Sequence, residues 1–365
     1  MSVLEPKELE ASPLADLHAL AAELGIEGYR RLRKQELIAA ILQAGGVDVP
    51  ATEDEPAATE PETGGDADPD EASDEEPFAP EEPEQPVEEI RTGTLDILPN
   101  GSGFVRVDAF AHSPEDVYLS PGQIKRCELR TGDQVSGPVR PPRRSERYPS
   151  LTRVETVNGG PAEPPAERPS FTDLTPAFAR ERLASPEELA AVPFGRGSRI
   201  SVGGPPGAGA TTVLRRVART LADNHPDVEV FVLLAGARPE EVAEWRAEVT
   251  VPVVGGSFEG SSERQGEIVL MAVERAKRVA ERGGHAAIVV DALDFLPGHV
   301  ARRTFGAARN TEEAGSVTVI AATGLSPEPA RRSTTRIVLA PPAGAQAGPV
   351  VDGETSGTLR AELLG

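Results

Sequence analysis

Apolar residues recur along this chain with three different periods, and each period marks a different kind of segment. Between residues 5 and 45 the aliphatic side chains fall at three- and four-residue steps: Leu14, Leu17, Leu20, Ala21 and Leu24, then Leu32, Leu37, Ile38, Ile41 and Leu42. That spacing predicts helices with one apolar face, and Gly25 and Gly28 break the run into a hairpin or small bundle. Such a bundle is too small for a large core, so its role reads as auxiliary. From residue 93 to 157 the period drops to two. Thr94–Leu98, Gly103–Val107, Asp116–Leu119, Gln134–Gly137 and Ser150–Val154 are separated by Asn-Gly, Ser-Pro-Glu-Asp and Thr-Gly-Asp turn signals, which predicts a closed barrel of five short strands.

Residues 170–197 look irregular, and from 199 onward apolar runs alternate with helical ones. The predicted order is strand Arg199–Val202, helix Thr211–Asp223, strand Val228–Leu234, helix Pro239–Glu248, strand Val251–Val254, helix Glu263–Arg282, strand Ala286–Val290, a helix or turn through Phe305–Glu313, and strand Ser316–Ala321. Strand and helix in alternation imply a parallel sheet covered on both faces, with ligands at the carboxyl ends of its strands. The fold class is therefore multidomain α/β. Its parts are a helical domain (1–46), an acidic linker (47–90), an oligonucleotide-binding (OB-fold) barrel (91–158), a linker (159–197) that opens Pro-rich, an α/β domain with a parallel sheet (198–340) and a carboxyl-terminal tail (341–365).

Charge changes this picture only through its location. The formal net charge of −22 argues against a nucleic-acid partner, but residues 51–90 hold 17 Asp and Glu and no Lys or Arg, leaving −5 for the rest. The barrel stretch 91–158 carries 10 Lys and Arg against 8 Asp and Glu, slightly basic where a phosphate chain would lie. Residues 47–90 cannot bury enough surface to offset chain entropy, so disorder is expected, as a tether or as an anionic competitor for the binding face. The single cysteine, Cys127, suits a reducing cytoplasm. No signal-peptide pattern and no apolar run near the ~18–20 residues of a membrane span is present, so a soluble cytoplasmic protein with no membrane partner is expected.

Barrels of the oligonucleotide-binding kind stack bases on aromatic side chains beside cations that follow the phosphates. Phe104 and Arg106 share one strand face, Tyr118 and Tyr148 belong to other strands, and Arg140, Arg143, Arg144 and Arg147 form a basic run. Two readings stand: stacking platforms with phosphate ligands, or core aromatics with a solvated arginine edge. The basic patch Tyr29–Lys34 carries the same pair of readings.

Gly204–Thr211 has the frame of a phosphate loop, G-x-x-x-x-G-K-[ST], placed between a strand and a helix, with Ala210 in the lysine position. Gly204, Gly207, Ala208, Gly209, Ala210, Thr211 and Thr212 would form the backbone cradle, and Thr211 supplies the hydroxyl that holds Mg²⁺ in a working loop. Asp291, ending an apolar strand, sits where such folds place a Mg²⁺-positioning carboxylate, although Asp is also a common turn opener. Without the lysine the cradle still attracts an anion, and hydrolysis should suffer most.

The order of segments resembles one family, the bacterial transcription termination factor Rho, a hexameric RNA-dependent ATPase, from the amino-terminal helices through about residue 325. The most specific pieces are Arg33-Lys34-Gln35-Glu36-Leu37-Ile38, Leu129-Arg130-Thr131-Gly132-Asp133, Arg140-Pro141-Pro142 with Glu146-Arg147-Tyr148, Asn224-His225-Pro226-Asp227, Arg238-Pro239-Glu240-Glu241-Val242 and Phe305-Gly306-Ala307-Ala308-Arg309-Asn310. The resemblance implies that the barrel is of the cold-shock kind, that residues 198–340 are a degenerate RecA-like P-loop ATPase domain, and that Phe104, Arg106, Asp116, Tyr118, Glu146, Arg147 and Tyr148 form a primary RNA site, in which a pyrimidine, cytosine by preference, stacks on aromatics. Ser102 stands where the family has a further aromatic.

The resemblance also implies losses. Ala210 and Gly207 replace lysines, Ala237 takes the place of the carboxylate that activates the attacking water, and the chain between Asp291 and Phe305 is too short for the first pore loop. After Leu325 the second pore loop, the arginine finger and the usual carboxyl-terminal region are missing or unrecognisable, and Arg336 cannot be given the finger's role. One lost transition-state charge contact costs roughly 10²–10³ in rate, and an arginine finger supplies about 10³–10⁵. The expectation is a Rho-like protein that binds single-stranded pyrimidine-rich RNA, with no catalytic residue, no metal ion and no required cofactor, ATP with Mg²⁺ being held weakly at most. The alternatives are an active ATP-driven termination factor with an unconventional site, and a subunit that joins or caps rings of an intact Rho. The partners under these readings are RNA, Rho or RNA polymerase, and further copies in a homo- or hetero-oligomer.

Overall fold

The computed structural model describes Leu17, Ala21, Ile26, Leu37, Ile38, Ala40 and Ile41, and residues 89–365 apart from Ala109, Ala166, Leu325, Ser326, Ala343, Ala345, Gln346 and Ala347. The chain divides into two compact units, Met1–Glu81 and Glu82–Gly365. In the first, helical Leu17, Ala21, Leu37, Ile38 and Ile41 are buried together with Ile26 packed against them, as the three- and four-residue spacing predicts. The disorder expected for 47–90 falls outside the described residues except at its last two positions, and there Glu89 and Ile90 open the first strand of the barrel. Among the described residues no helix is long and apolar enough to cross a membrane.

The second unit begins with β1 (Glu89–Ile97), β2 (Gly103–Arg106), β3 (Val117–Leu119), α1 (Pro121–Arg126), β4 (Gln134–Arg140) and β5 (Ser150–Leu151), with β6 (Thr156–Val157) and β7 (Gly160–Pro161) continuing from the edge of β4. β1 pairs with β2, β2 with β3, β3 with β5, β5 with β4 and β4 back with β1, so the sheet closes on itself. Alternation sets the inside: Leu95, Val105, Val117, Leu119, Val135 and Leu151 form the barrel core, and their strand neighbours point outward.

After β8 (Pro176–Ala177) come β9 (Arg199–Gly203), α2 (Ala210–Asn224), β10 (Val228–Ala237), α3 (Pro239–Glu248), β11 (Val253–Ser257), α4 (Ser262–Glu281), β12 (His285–Val290), α5 (Gly298–Gly306), β13 (Arg309–Thr311), β14 (Ser316–Ala322), α6 (Pro327–Arg332), β15 (Thr335–Val338) and β16 (Gly357–Thr358). The sheet runs β11-β10-β12-β14-β9-β15-β16, parallel up to β15 and antiparallel at β16. Its strands are apolar on both faces because both are buried. Val230, Val232 and Leu234 meet α2 and α3, while Phe231, Leu233 and Ala235 meet α4 and α5.

Two stretches differ from their sequence reading. The segment read as helix or turn through Phe305–Glu313 ends its helix at Gly306, and Arg309–Thr311 is a strand paired with β14 and β8. Its polar Arg-Asn-Thr sequence has no apolar alternation to announce a strand. Beyond residue 325, where the sequence looked unrecognisable, α6 and β15 continue the parallel order. Residues past 341, read as a tail, turn back to the sheet: Ala340 N–H donates to Val350 O (2.9 Å), and β16 pairs with β15.

The barrel is docked on the α/β part through Leu129–Asp133. Gly132 has φ of +92°, and a Cβ there would lie 2.4 Å from the Glu274 carbonyl carbon, so only glycine brings this turn onto α4. Asp133, fully buried, accepts from Arg130 N–H (2.7 Å), Asn158 Nδ2 (2.7 Å) and Arg168. Asn158 Oδ1 in turn accepts from Arg275 of α4 (2.8 Å), which also grips Glu229 at 2.9 and 3.0 Å.

Candidate functional site

Strand register builds the outer face of the barrel. Phe104 on β2 lies opposite Tyr118 on β3, and Tyr148 arrives from the turn before β5. The Phe104 ring meets Tyr118 edge-on at 5.9 Å and Tyr148 at 5.0 Å between centroids. All three are half-buried and none belongs to the barrel core.

Arg106 is not a free cation. It is 4% exposed, donates to Asp116 and Asp96 at 2.5 Å each, and lies with its guanidinium carbon 5.3 Å from the Phe104 ring centre. Asp116 is 1% exposed and also accepts from Ser113 N–H (3.1 Å), while its Oδ1 has no hydrogen-bond partner. This buried ion cluster braces the aromatic face from beneath. Ser102, in the place of a further aromatic, bonds Asn100 Oδ1 through its N–H (3.0 Å) and hydroxyl (2.8 Å) and holds a turn.

Beside the rings opens a cavity of about 600 Å³ lined by Tyr118, Gln123, Arg140, Glu146, Arg147 and Tyr148 among others. Arg140 donates to both oxygens of Glu146 (2.6 and 2.9 Å), and Arg143 N–H adds a third bond at 3.1 Å. Those donors, Arg140 foremost, hold the Glu146 carboxyl down to about 2. Arg147 is exposed, with its guanidinium carbon 5.3 Å from the Tyr148 ring centre.

The phosphate loop joins β9 to α2 as its sequence frame requires. Gly207 (φ +79°) and Gly209 (φ +91°) adopt the left-handed backbone that wraps such a loop. Thr211 and Thr212 fall in the first turn of α2, and Ala210, its first residue, packs half-buried against the core. Ala237 closes β10 at 3% exposure. Asp291 follows β12, is 6% exposed and leaves Oδ1 without a donor. Burial pushes its carboxyl up to about 6, with the Thr211 hydroxyl beside it pulling the other way. The fold thus brings Thr211 and Asp291 together at the carboxyl end of the sheet.

Sequence reasoning missed what lies against this loop. Leu339 N–H donates to Gly203 O (2.8 Å), and Cβ atoms built on Gly204 and Gly209 would meet Leu339 at 3.0 Å and Pro349 at 3.1 Å. Residues 339–351 contain no charged side chain, so neither the loop nor its neighbour supplies a cation. The loop keeps the left-handed glycines of a phosphate loop without its cation. Among the described residues no group of three His, Cys, Asp or Glu is arranged to hold a metal ion.

Two family models match the chain: Rho termination factor, N-terminal domain, over residues 8–45, and Rho termination factor, RNA-binding domain, over residues 91–163. The transcription termination factor Rho of Haemophilus influenzae is 34% identical over 354 residues, covering 86% of this chain and 75% of that protein. Those of Salmonella typhimurium and Escherichia coli K12 are 34% identical over 350 residues with the same coverage. A solved ATPase of a type III secretion system aligns with TM-score 0.43 and 16% identity over 59% of this chain and 74% of that one, too loosely to bear on function.

Proposed function

This chain belongs to the Rho transcription termination factor family, and from that premise we propose that its barrel holds single-stranded, pyrimidine-rich RNA while its nucleotide site does not hydrolyse ATP. The observation that carries the RNA half is the outward cluster of Phe104, Tyr118 and Tyr148 beside a cavity rimmed by arginine. An extruded pyrimidine stacks on these rings, at roughly 1–3 kcal/mol per base, and Arg147 follows the backbone charge. Arg106, Asp116 and Glu146 serve that surface by holding its geometry.

The nucleotide half rests on what Ala210, Gly207 and Ala237 cannot do. A methyl or a hydrogen offsets none of the charge on a transferring phosphoryl group, and a methyl at the end of β10 activates no water. Mg²⁺, where bound with nucleotide, would be held by Thr211 and Asp291 and would neutralise phosphate charge. The backbone cradle alone holds such an anion weakly. Phosphate release from ATP, measured with and without cytosine-rich RNA, is expected to stay at background. RNA-stimulated turnover that disappears in Asp291→Ala would overturn this reading.

A second reading is a subunit within rings of an intact Rho. The likeness covers 86% of the chain, so it runs through the α/β half as well as the barrel. Mass measurement of co-purified complexes decides it, a homogeneous assembly of this chain alone excluding the mixed ring.

A further inference from the structure

We propose that the loop between Arg140 and Glu146 is a phosphate-binding arm of the RNA site, with Arg143 and Arg144 as its ligands. The inference rests on the RNA reading of the barrel and assigns to it two residues outside the aromatic face.

The loop is stiff before anything binds. Pro141 and Pro142 each fix a φ angle, and the bidentate Arg140–Glu146 pair (2.6 and 2.9 Å) ties the loop's two ends together. Within it Glu146 N–H donates to Arg143 O (2.8 Å) and Arg143 N–H donates to Glu146 (3.1 Å), which closes a tight turn. Glu146, held down to about 2 with Arg140 as the main cause, stays ionised throughout the working pH range and so remains a partner for Arg140.

The same pairing sorts the arginines. Arg140 is committed to Glu146, Arg106 to Asp96 and Asp116, and Arg91 to Glu89, so none of these is available to a ligand without losing a partner. Arg143 and Arg144 are exposed, and among the described residues their side chains have no bonded partner. The sole carboxylate in the loop is already neutralised. Two guanidinium groups without a bonded partner therefore stand on a loop whose ends, Arg140 and Glu146, line the cavity that Arg147 and Tyr148 also rim. A flexible polyanion lying on those rings must carry its phosphates past this point. An arm ordered in advance loses less entropy on contact than a floppy one. Guanidinium and phosphate also match in geometry.

The test is the salt dependence of oligo-cytidine binding to the full chain, followed by fluorescence anisotropy. For single strands the slope of log K against log salt changes by about 0.7 for each phosphate neutralised. The double variant Arg143→Ala, Arg144→Ala should lower the slope magnitude by about 1.4. It should also weaken low-salt binding more than tenfold and leave the preference for oligo-cytidine over oligo-uridine unchanged. The Arg143→Lys, Arg144→Lys variant should restore the slope. Both positions are exposed, so the thermal midpoint is expected to hold. An unchanged slope with full binding removes the arm and leaves the barrel site standing. A wild-type protein that ignores oligo-cytidine removes the site itself.

Discussion

Asp291 is a carboxylate kept almost wholly out of water, with one oxygen that finds no donor. Its folded value of about 6 stands against an ordinary 3.8, so the fold disfavours the charged form. The penalty is absent below about pH 4, grows as pH rises and is complete above about 6. Asp291→Asn should therefore stabilise the protein at pH 7.5 by on the order of 2–3 kcal/mol and bring no gain at pH 4, as denaturant titrations at the two pH values would show. On the barrel, Tyr148→Ala should weaken oligo-cytidine binding by about 1–3 kcal/mol, and equal affinity would mean the ring is mere packing. Identity was legible at both positions, but environment was not. Two-residue spacing placed Arg106 on the face of Phe104, yet nothing in that spacing told depth, and the carboxylates that bury it come from β1 and from the turn before β3.

Among the elements, those with a long clean period were readable: α2, α4, β12 and β14 fall within a few residues of their predicted ranges. β13, β15 and β16 were not, because each is short and owes its form to pairing with a distant strand, where tertiary contact outweighs propensity. The turn at Gly132 shows the other limit. Its Thr-Gly-Asp sequence announces a turn, whereas its service as a docking point depends on the α4 backbone more than 140 residues later. Gly132→Ala combines a positive φ with a backbone clash and should cost on the order of 2 kcal/mol or more. Calorimetry should show the single transition lowered or split in two; an unaltered thermogram would mean that the turn can move away freely.

Across the whole molecule, the succession of helical segment, barrel and parallel sheet followed from hydrophobic patterning, since periods of 3.6 and 2 and doubly apolar strands are local signals. The approach of Leu339 and Pro349 to the phosphate loop was hidden by a Pro-, Gly- and Ala-rich composition that lacks any period. The bonds that join barrel to sheet, such as Asn158 with Arg275, unite polar side chains that no local pattern connects. Those bonds have a directional effect. The barrel is held to α4 by the close approach of Gly132 and by the hydrogen-bond chain Asp133–Asn158–Arg275, and not only by the proline-rich strap that follows it. A transcript seated on the rings, as proposed, would inherit a heading set relative to the parallel sheet. On the proposed RNA reading the molecule is a bracket that sets the angle at which a strand is presented, and that aim does not depend on whether ATP is hydrolysed.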